Sequence, residues 1–291
     1  MTPDSILLIL KNDQFKETVD DFKSYFSIQN FHPWIEYLEK ILTSFSKLPY
    51  ENISKIIKYK NNFDSANKIR LPFEIMEDHK SHNLGGTCFS LTFFLQTILK
   101  QQGFICYPVM ADMNWGKNVH CTTIVDLNGQ KYLIDPGYLL TRPMILSQGQ
   151  SKIFKTEFSG IELRYQFEER KYDLFTFNQH QNKWRYKFED KPVPDAEFFQ
   201  HWLSSFEWNS MNGICLTKVK QEKLIYVHKT FMRETSYHGK KNFNIKNNYH
   251  QTLQDVFGID KELVEEALVA VDFQKKRKQE LGLWVPKKQK D

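Results

Sequence analysis

The sequence predicts an α+β fold with a helical N-terminal part, a central antiparallel β-barrel and a C-terminal α/β part. In the first third of the chain, apolar residues recur at the spacing of a helix, as Leu91, Leu95 and Ile98 do. From Phe104 onward, short runs alternate apolar and polar residues, which is typical of half-buried strands. The last third mixes the two patterns, which indicates a smaller sheet accompanied by helices.

More than one domain is expected, because 291 residues exceed the usual length of a single domain. Residues 1–103 are predicted to form a helical domain that carries a candidate nucleophile. Residues 104–194 are predicted to form the barrel domain, with two further candidate residues. Residues 195–291 are predicted to hold a connecting helix, an α/β domain and a basic tail.

Cys88 is the first candidate for chemistry. Gly85 and Gly86 precede it closely, and glycine permits positive φ and a close approach of the backbone. A helical apolar pattern then continues without Gly or Pro as far as Gly103, so Cys88 is expected in the first turn of a helix. The unpaired N–H groups of a first turn favour an anion. Because the thiolate is the nucleophilic form of cysteine, this position predicts a reactive thiol.

A predicted hairpin carries the other two candidates. Both His120–Leu127 and Gln130–Ile134 have the pattern of strands, and Asn128–Gly129 between them is the strongest signal for a two-residue turn. Such a turn fixes the pairing of the two strands. Leu127 is therefore predicted to lie opposite Gln130.

The same register predicts a catalytic arrangement. Counting along the two strands puts Thr122 opposite Asp135, so His120 lies diagonal to Asp135 on one face. A lone cysteine at a helix start is more often a small buried residue, but the combination of the three residues favours chemistry. We predict Cys88 as nucleophile, His120 as its base and Asp135 as the carboxylate that orients the base.

The cysteine and histidine patterns argue against other kinds of site. The four cysteines, Cys88, Cys106, Cys121 and Cys215, show no C-x-x-C spacing, so a disulfide framework, a zinc ribbon or another metal site is not expected. A reduced, cytoplasmic protein is the expectation. Cys121 points to the strand face opposite His120, which predicts core packing. His79 and His82 lack further ligands nearby and are expected in a surface loop.

The charge pattern also excludes some partners. The net charge of +5 belongs to the segment from Lys275 to Asp291, which holds seven basic and two acidic residues. The remainder is neutral overall, so nucleic acid is not an expected partner. The tail is predicted to be a solvated helix end. The apolar run Ile6–Leu10 is too short for a membrane span.

Three segments resemble the arylamine N-acetyltransferase family. They are Gly85–Cys88, Leu133–Tyr138, and Leu48–Asn52, which is similar to that family's Pro-Phe-Glu-Asn segment. The resemblance extends from about Phe22 to Phe273. It implies a cysteine-protease-like helical part, and a cleft between the first two domains that holds Cys88, His120 and Asp135. It also implies acyl transfer from acetyl-coenzyme A, or another acyl-coenzyme A, through an acylated cysteine.

The chain departs from the family pattern beside the nucleophile. Leu84 stands where the family usually has Arg, and that Arg would be expected to pair with Glu51. Glu51 therefore needs another partner. Ser90 replaces a Glu or Gln, and Thr92 replaces an Asn. Two outcomes are open: a pocket that accepts a bulkier acyl group or amine, or residues that only pack behind the site.

The expected function is transfer of the acyl group to a small arylamine, hydrazine or N-hydroxyarylamine. One alternative is a transglutaminase-like enzyme or amidase, because Cys-His-Asp arrangements recur on several scaffolds. The two kinds of enzyme differ in the acyl donor, which is a thioester for the acyltransferase and a carboxamide or peptide for the transglutaminase-like enzyme or amidase. A further alternative is a non-catalytic member that retains the fold, which predicts an unreactive Cys88.

Overall fold

The computed structural model describes residues 10–63, 65–156 and 158–282. Its N-terminal part is helical, as predicted, and the helices end where the strand pattern of the sequence begins. They are α1 (Lys16–Tyr25), α2 (Trp34–Phe45), α3 (Ile53–Asn61), α4 (Pro72–His82) and α5 (Cys88–Gln101). The sequence run Ile6–Leu10 lies outside the described residues except for Leu10.

The predicted antiparallel barrel is confirmed as a nearly closed sheet of eight strands. In chain order the strands are β2 (Ile105–Met113), β3 (Gly116–Leu127), β4 (Gln130–Ile134), β5 (Met144–Ile145), β6 (Lys152–Lys155), β7 (Gly160–Gln166), β8 (Lys171–Phe177) and β9 (Asn182–Phe188). The spatial order is β5-β4-β3-β2-β9-β8-β7-β6. The short strands β5 and β6 carry too few alternating residues to have been recognised in the sequence.

The register of the β3–β4 hairpin is as predicted. Leu127 pairs with Gln130, and Thr123 pairs with Ile134. Both turn residues have positive φ, 54° at Asn128 and 82° at Gly129, as a two-residue hairpin turn requires. The hairpin therefore brings the start of β3 beside the end of β4, where the second and third candidate residues lie.

A second sheet joins the N-terminal and C-terminal parts of the chain. Its spatial order is β1-β10-β11-β12-β13, and β1 (Tyr50–Glu51) belongs to the N-terminal part. The other strands are β10 (Cys215–Lys220), β11 (Lys223–His228), β12 (Phe231–Ser236) and β13 (Gly239–Asn244). The division of the chain into three domains at residues 103 and 194 stays a prediction.

The described part of the chain has three further α-helices, of which the first packs on α5 rather than on the second sheet. They are α6 (Asp195–Ser204), α7 (Tyr249–Phe257) and α8 (Lys261–Glu280). The predicted helix end is present, since α8 ends at Glu280 with Lys276, Gln279 and Glu280 exposed. The prediction is wrong for Lys278, which is buried and whose Nζ donates to the carbonyls of Glu207 (2.8 Å) and Trp208 (3.1 Å). Residues 283–291 of the predicted tail lie outside the described residues. Among the described residues, no helix is both long and apolar enough to cross a bilayer.

Helix α5 is the centre of the molecule. Every residue from Cys88 to Leu99 is buried, because α1 and α4 pack on one side of the helix and strands β2 and β3 on the other. The polar side chains on this helix bond to neighbouring elements. For example, Gln96 Nε2 donates to Thr123 Oγ1 on β3 at 3.1 Å. The first turn of α5 is thus fixed against the strand that carries the candidate base.

Candidate active site

Two glycines shape the loop that precedes Cys88. A Cβ atom on Gly85 would overlap the carbonyl oxygen of Pro49, and one on Gly86 would overlap Ser90 Oγ. The need for glycine here is the close approach of backbone, since neither residue has positive φ. Gly86 also bonds to the start of the second sheet, because its carbonyl accepts the Glu51 N–H at 2.9 Å.

Cys88 is the first residue of α5, as the sequence predicts. Thr87 is the N-cap, and its backbone N–H donates to Ser90 Oγ at 3.1 Å. Ser90, one of the three departures, is therefore a helix-capping residue. Thr92 is also structural, since its Oγ1 donates to the carbonyl of Cys121 at 3.4 Å.

Leu84, the third departure, is buried in the apolar cluster beneath the second sheet, with Ile53 and Leu216. Since Ser90 and Thr92 bond within the fold and Leu84 packs beneath a sheet, all three departures have structural roles. Of the two outcomes left open by the sequence, these contacts favour the one in which the three residues only pack behind the site, and not the one in which they widen the substrate pocket.

His120 and Asp135 are in direct contact. Nε2 of His120 lies 2.8 Å from Oδ2 of Asp135, and the carboxylate is fully buried. The backbone N–H of Tyr138 donates to Oδ1 at 3.2 Å, and the hydroxyl of Tyr186 donates to Oδ2 at 2.6 Å. The carboxylate therefore has a fixed orientation, which fixes the imidazole ring in turn.

The thiol of Cys88 lies beside the His120 ring, and each group shifts the pKa of the other towards its charged form. Since Asp135 occupies Nε2, the nitrogen that remains for the thiol is Nδ1. The three candidate residues therefore form a continuous line from sulfur through imidazole to carboxylate. Gly137 lies beside this line: a Cβ atom there would come 3.0 Å from His120 Cε1, 3.2 Å from Asp135 Oδ1 and 3.5 Å from Cys88 Cβ.

The surroundings favour the charged forms of the thiol and the imidazole. The pKa of Cys88 is lowered most by a hydrogen bond from Cys121. Burial acts in the opposite direction and raises this pKa, whereas the contact with His120 and the charge of Lys55 lower it further. Burial by itself would lower the pKa of His120, but Asp135 and Cys88 together raise it to about 10. The site is arranged to hold a thiolate beside an imidazolium near neutral pH.

Arg70 is the partner that Glu51 needs. Its Nη1 lies 3.5 Å from Glu51 Oε1 and donates to the carbonyl of Gly85 at 2.5 Å, while Nη2 pairs with Asp78. Arg70 and Glu51 are both buried. Sequence reasoning missed this residue, although it is the only arginine before Arg142. The scarcity of arginine in this part of the sequence could have identified Arg70 as the partner of Glu51.

Cys121 was also missed as a part of the site. Its predicted face is supported, since the odd-numbered side chains of β3 point towards α5, as the contact of Thr123 with Gln96 shows. However, Cys121 shares a buried cluster with Cys88, and burial followed by the neighbouring Cys88 thiol raises the pKa of Cys121. The interpretation as core packing alone is therefore incomplete.

The histidine prediction needs a correction. His79 lies in α4 and is buried, and its Nδ1 is 3.1 Å from the carbonyl oxygen of Leu84. The prediction of a surface loop is wrong for His79, because α4 continues as far as His82. In the parts of the chain that the structure describes, no group of three or more His, Cys, Asp or Glu side chains could hold a metal ion.

A family model decides where this chain belongs. The N-acetyltransferase family model matches residues 35–266, which includes both glycines of the loop and all three candidate residues. The chain belongs to the arylamine N-acetyltransferase family. It is accordingly an enzyme of the acetyltransferase class.

Solved structures of the same family have the same fold. Arylamine N-acetyltransferase from Mycobacterium abscessus is similar with a TM-score of 0.75 and 14% identity, over 90% of this chain and 97% of that one. The Mycobacterium marinum enzyme, whose structure was solved in complex with CoA, is similar with a TM-score of 0.70 and 15% identity, over 87% and 97% of the two chains.

A curated relative is similar over a shorter stretch. The uncharacterized acetyltransferase L280 of Acanthamoeba polyphaga mimivirus is 38% identical over 74 residues, which are 23% of this chain and 36% of that one. The chain thus spans about a third of this relative's length in the match.

Proposed function

We propose that this enzyme transfers an acyl group from acyl-coenzyme A, through a thioester on Cys88, to an arylamine, a hydrazine or an N-hydroxyarylamine. The observation that carries the proposal is the buried line from Cys88 through His120 to Asp135. Coenzyme A as the donor is supported by the Mycobacterium marinum relative, which was solved with CoA. The acceptor class rests on family membership.

The first half-reaction forms the acyl-enzyme. The thiolate of Cys88 attacks the thioester carbonyl, and the developing oxyanion is stabilised by N–H groups of the first turn of α5. The bond between the carbonyl carbon and the coenzyme A sulfur then breaks. His120, held as the imidazolium by Asp135, donates its proton to the departing coenzyme A thiolate.

The second half-reaction regenerates the thiol. The amine nitrogen attacks the carbonyl carbon of the acyl-Cys88, and His120, now neutral, accepts the amine proton. The carbon–sulfur bond breaks and the Cys88 thiolate leaves. Asp135, in contact with Nε2, holds the ring in the tautomer and orientation in which Nδ1 can exchange protons with substrate.

Acetyl-coenzyme A is the donor that the site supports best. A pocket for a bulkier acyl group would require Leu84, Ser90 and Thr92 to line it. All three are buried and bond or pack within the fold. The donor preference is therefore expected to fall beyond acetyl rather than to rise along a series of longer chains.

The experiment is intact-mass measurement after incubation with acetyl-, propionyl- and butyryl-coenzyme A. We expect one acetyl adduct that is absent in Cys88→Ser, retained in the matched control Cys106→Ser, and removed by an added arylamine with release of the acetylated amine. A protein that stays unacylated by every thioester, yet releases ammonia from a carboxamide, would favour the amidase alternative. An unreactive Cys88 would indicate a non-catalytic member.

A further inference from the structure

Cys121 lies directly beneath the nucleophile. It belongs with Cys88, Phe89 and Met110 to one buried cluster at the junction of α5 and the barrel. Its carbonyl accepts a hydrogen bond from Thr92, which is one helical turn after Cys88 on the same side of α5. The backbone of Cys121 is thus bonded to α5, the helix that begins with Cys88. Neither cysteine can move away from the other without disrupting the packing of the cluster.

The two thiols belong to the same buried cluster, Cys121 lowers the pKa of Cys88, and neither forms a disulfide. Cys88 and Cys121 are 6% and 0% exposed, so water does not compete strongly for either sulfur. A thiolate beside a neutral thiol forms a charge-assisted hydrogen bond, which is stronger than a bond between two neutral groups. The contact with Cys88 and burial raise the pKa of Cys121, burial more strongly, so Cys121 is the partner that keeps its proton.

We propose that Cys121 is a working part of the Cys88 site: its S–H donates to the reactive sulfur and favours the anion, and the same contact lets the two sulfurs close into a disulfide after a hydroperoxide oxidises Cys88. The proposal rests on Cys88 being the nucleophile of the proposed function. It adds a residue that the Cys-His-Asp arrangement does not contain.

The redox step balances with the hydroperoxide as the sole oxidant. The Cys88 thiolate attacks the terminal oxygen of the hydroperoxide, the O–O bond breaks, and the alkoxide leaves with a proton as the alcohol. The resulting Cys88 sulfenic acid condenses with the Cys121 thiol, which forms the S–S bond and releases water. A dithiol reductant restores both thiols and is itself oxidised. Without Cys121, a second hydroperoxide molecule would oxidise the sulfenic acid to the irreversible sulfinic acid and would leave as a second alcohol.

The first experiment measures the hydrogen bond. The rate at which limiting iodoacetamide labels Cys88 is followed against pH in the parent, Cys121→Val, Cys121→Ser and Cys106→Val, with circular dichroism to confirm folding. Loss of a hydrogen bond to a charged group should raise the midpoint in Cys121→Val by about one to two pH units. Cys121→Ser, which keeps a donor, should lie closer to the parent, and Cys106→Val, which loses a buried thiol elsewhere, should match it.

The second experiment measures the disulfide. The parent is treated with a stoichiometric hydroperoxide, and we expect a mass loss of two hydrogen atoms, a Cys88–Cys121 cross-linked peptide, and return of activity with a dithiol. With at least two equivalents of hydroperoxide, Cys121→Ser should gain two oxygen atoms at Cys88 as the sulfinic acid, with activity that the dithiol does not restore, whereas the parent should still form the disulfide. Overoxidation of Cys88 in the parent, or a disulfide to Cys106 or Cys215, would overturn the redox part.

The two proposals fail in distinguishable ways. If the parent does not take up an acetyl group from acetyl-coenzyme A, the proposed function fails, whatever the thiols do. If the parent is acetylated but Cys121→Val and Cys121→Ser both keep the parent midpoint, the hydrogen-bond part fails alone. Should Cys121→Val not fold, Cys121→Ala, which also lacks a donor, replaces it in the first experiment, and the comparison of Cys121→Ser with the parent decides the second.

Discussion

At the scale of single residues, the site depends on groups that hold one another in a charged form. Asp135 has three donors, from His120, Tyr138 and Tyr186, and none of its surface is exposed. A carboxylate that is bonded in this way has a fixed orientation and fixes the ring that it faces. The reactivity of Cys88 is therefore expected to depend on His120, Asp135 and the residues that bond to Asp135, and not on the thiol alone.

Asp135→Asn should reduce the rate of Cys88 acetylation by about 10⁴-fold, because the amide favours the wrong imidazole tautomer, as in a serine triad. The rate is measured by rapid quench and intact mass. Asp126→Asn is the control, since Asp126 Oδ1 accepts the Gly129 N–H in the turn of the same hairpin. If Asp135→Asn acetylates at the parent rate, the assignment of Asp135 is wrong.

The pH dependence of labelling should separate the four cysteines. The hydrogen bond from Cys121 and the contact with His120 lower the pKa of Cys88, so its thiolate persists below the ordinary value of about 8.5 and is lost as pH falls through the lowered pKa. Burial raises the pKa of Cys106 and Cys215 to about 12, so both remain thiols at pH 8. Iodoacetamide at that pH should label Cys88 first, as peptide mapping would show. Earlier labelling of Cys106 or Cys215 would contradict this.

Gly137→Ala should slow acetylation without unfolding the protein. The added methyl group would press on His120 and Asp135 from one side, and a displacement of about 1 Å in such a site can cost about 10²-fold in rate. Gly149→Ala is the control, because the nearest atom to its Cβ is Ser147 Oγ at 4.0 Å. Equal acetylation rates for both variants would show that the site tolerates the contact.

At the scale of elements, the segment before Cys88 is held by a buried ion pair that does not follow the usual family arrangement. Arg70, two residues before α4, extends to Glu51 on β1 and to the carbonyl of Gly85. One guanidinium thus connects β1, the glycine loop and α4. Since a guanidinium presents several donors in a fixed plane, a lysine could not make all of these bonds.

Arg70→Met should lower the free energy of unfolding by about 3–5 kcal/mol, because it leaves Glu51 charged and unpaired in the interior. Arg70→Met with Glu51→Gln should recover part of that loss. The control is Arg164→Met, which breaks a partly exposed pair with Glu162 and should cost about 1 kcal/mol or less. Urea unfolding gives the values; a loss from Arg70→Met no larger than the control would show that the pair is not needed.

At the scale of the whole molecule, the candidate site lies where two sheets meet the central helix. The loop before Cys88 is bonded to β1 of the second sheet, whereas His120 and Asp135 belong to the barrel. Helix α8 packs against α3, and its buried Gln274 donates to the carbonyl of Phe206 at 2.8 Å. These contacts attach the C-terminal part of the chain to the helical part that carries Cys88.

Truncation after Gln274 should destabilise the enzyme. It removes Lys278, which donates to the carbonyls of Glu207 and Trp208, and Arg277, whose Nη1 donates to the hydroxyl of Tyr59 at 3.1 Å. At about 1 kcal/mol for each hydrogen bond, the loss is about 3 kcal/mol, or a fall in Tm of about 6–12 °C. Thermal unfolding measures it. Truncation after Gly282, the control, should leave Tm within about 2 °C.

The shorter truncation also tests whether the charges of residues 283–291 steer anionic coenzyme A. If they do, KM for acetyl-coenzyme A should rise in the truncated enzyme at 0.01 M salt. The difference should fade at 0.1 M, as the Debye length falls from about 30 Å to about 10 Å. A change in KM that is independent of salt would rule out steering.

The sequence by itself determined the parts of this protein that depend on local pattern. Helical spacing after Gly85 and Gly86 placed Cys88 at a helix start, and the turn at Asn128–Gly129 fixed a register that put His120 beside Asp135. Both follow from short-range geometry, since a helix has a fixed period and a two-residue turn permits one pairing. The family motifs lie on these same segments.

Only the tertiary structure decided the contacts between segments distant in sequence. Arg70 meets Glu51 from 19 residues away, and Cys121 meets Cys88 across a helix–strand interface. The alternation of β3 gave the face of Cys121, but what packs on that face is set by how α5 lies against the barrel. Helix and strand periods specify which side a residue is on, whereas the neighbour on that side depends on the packing of whole elements.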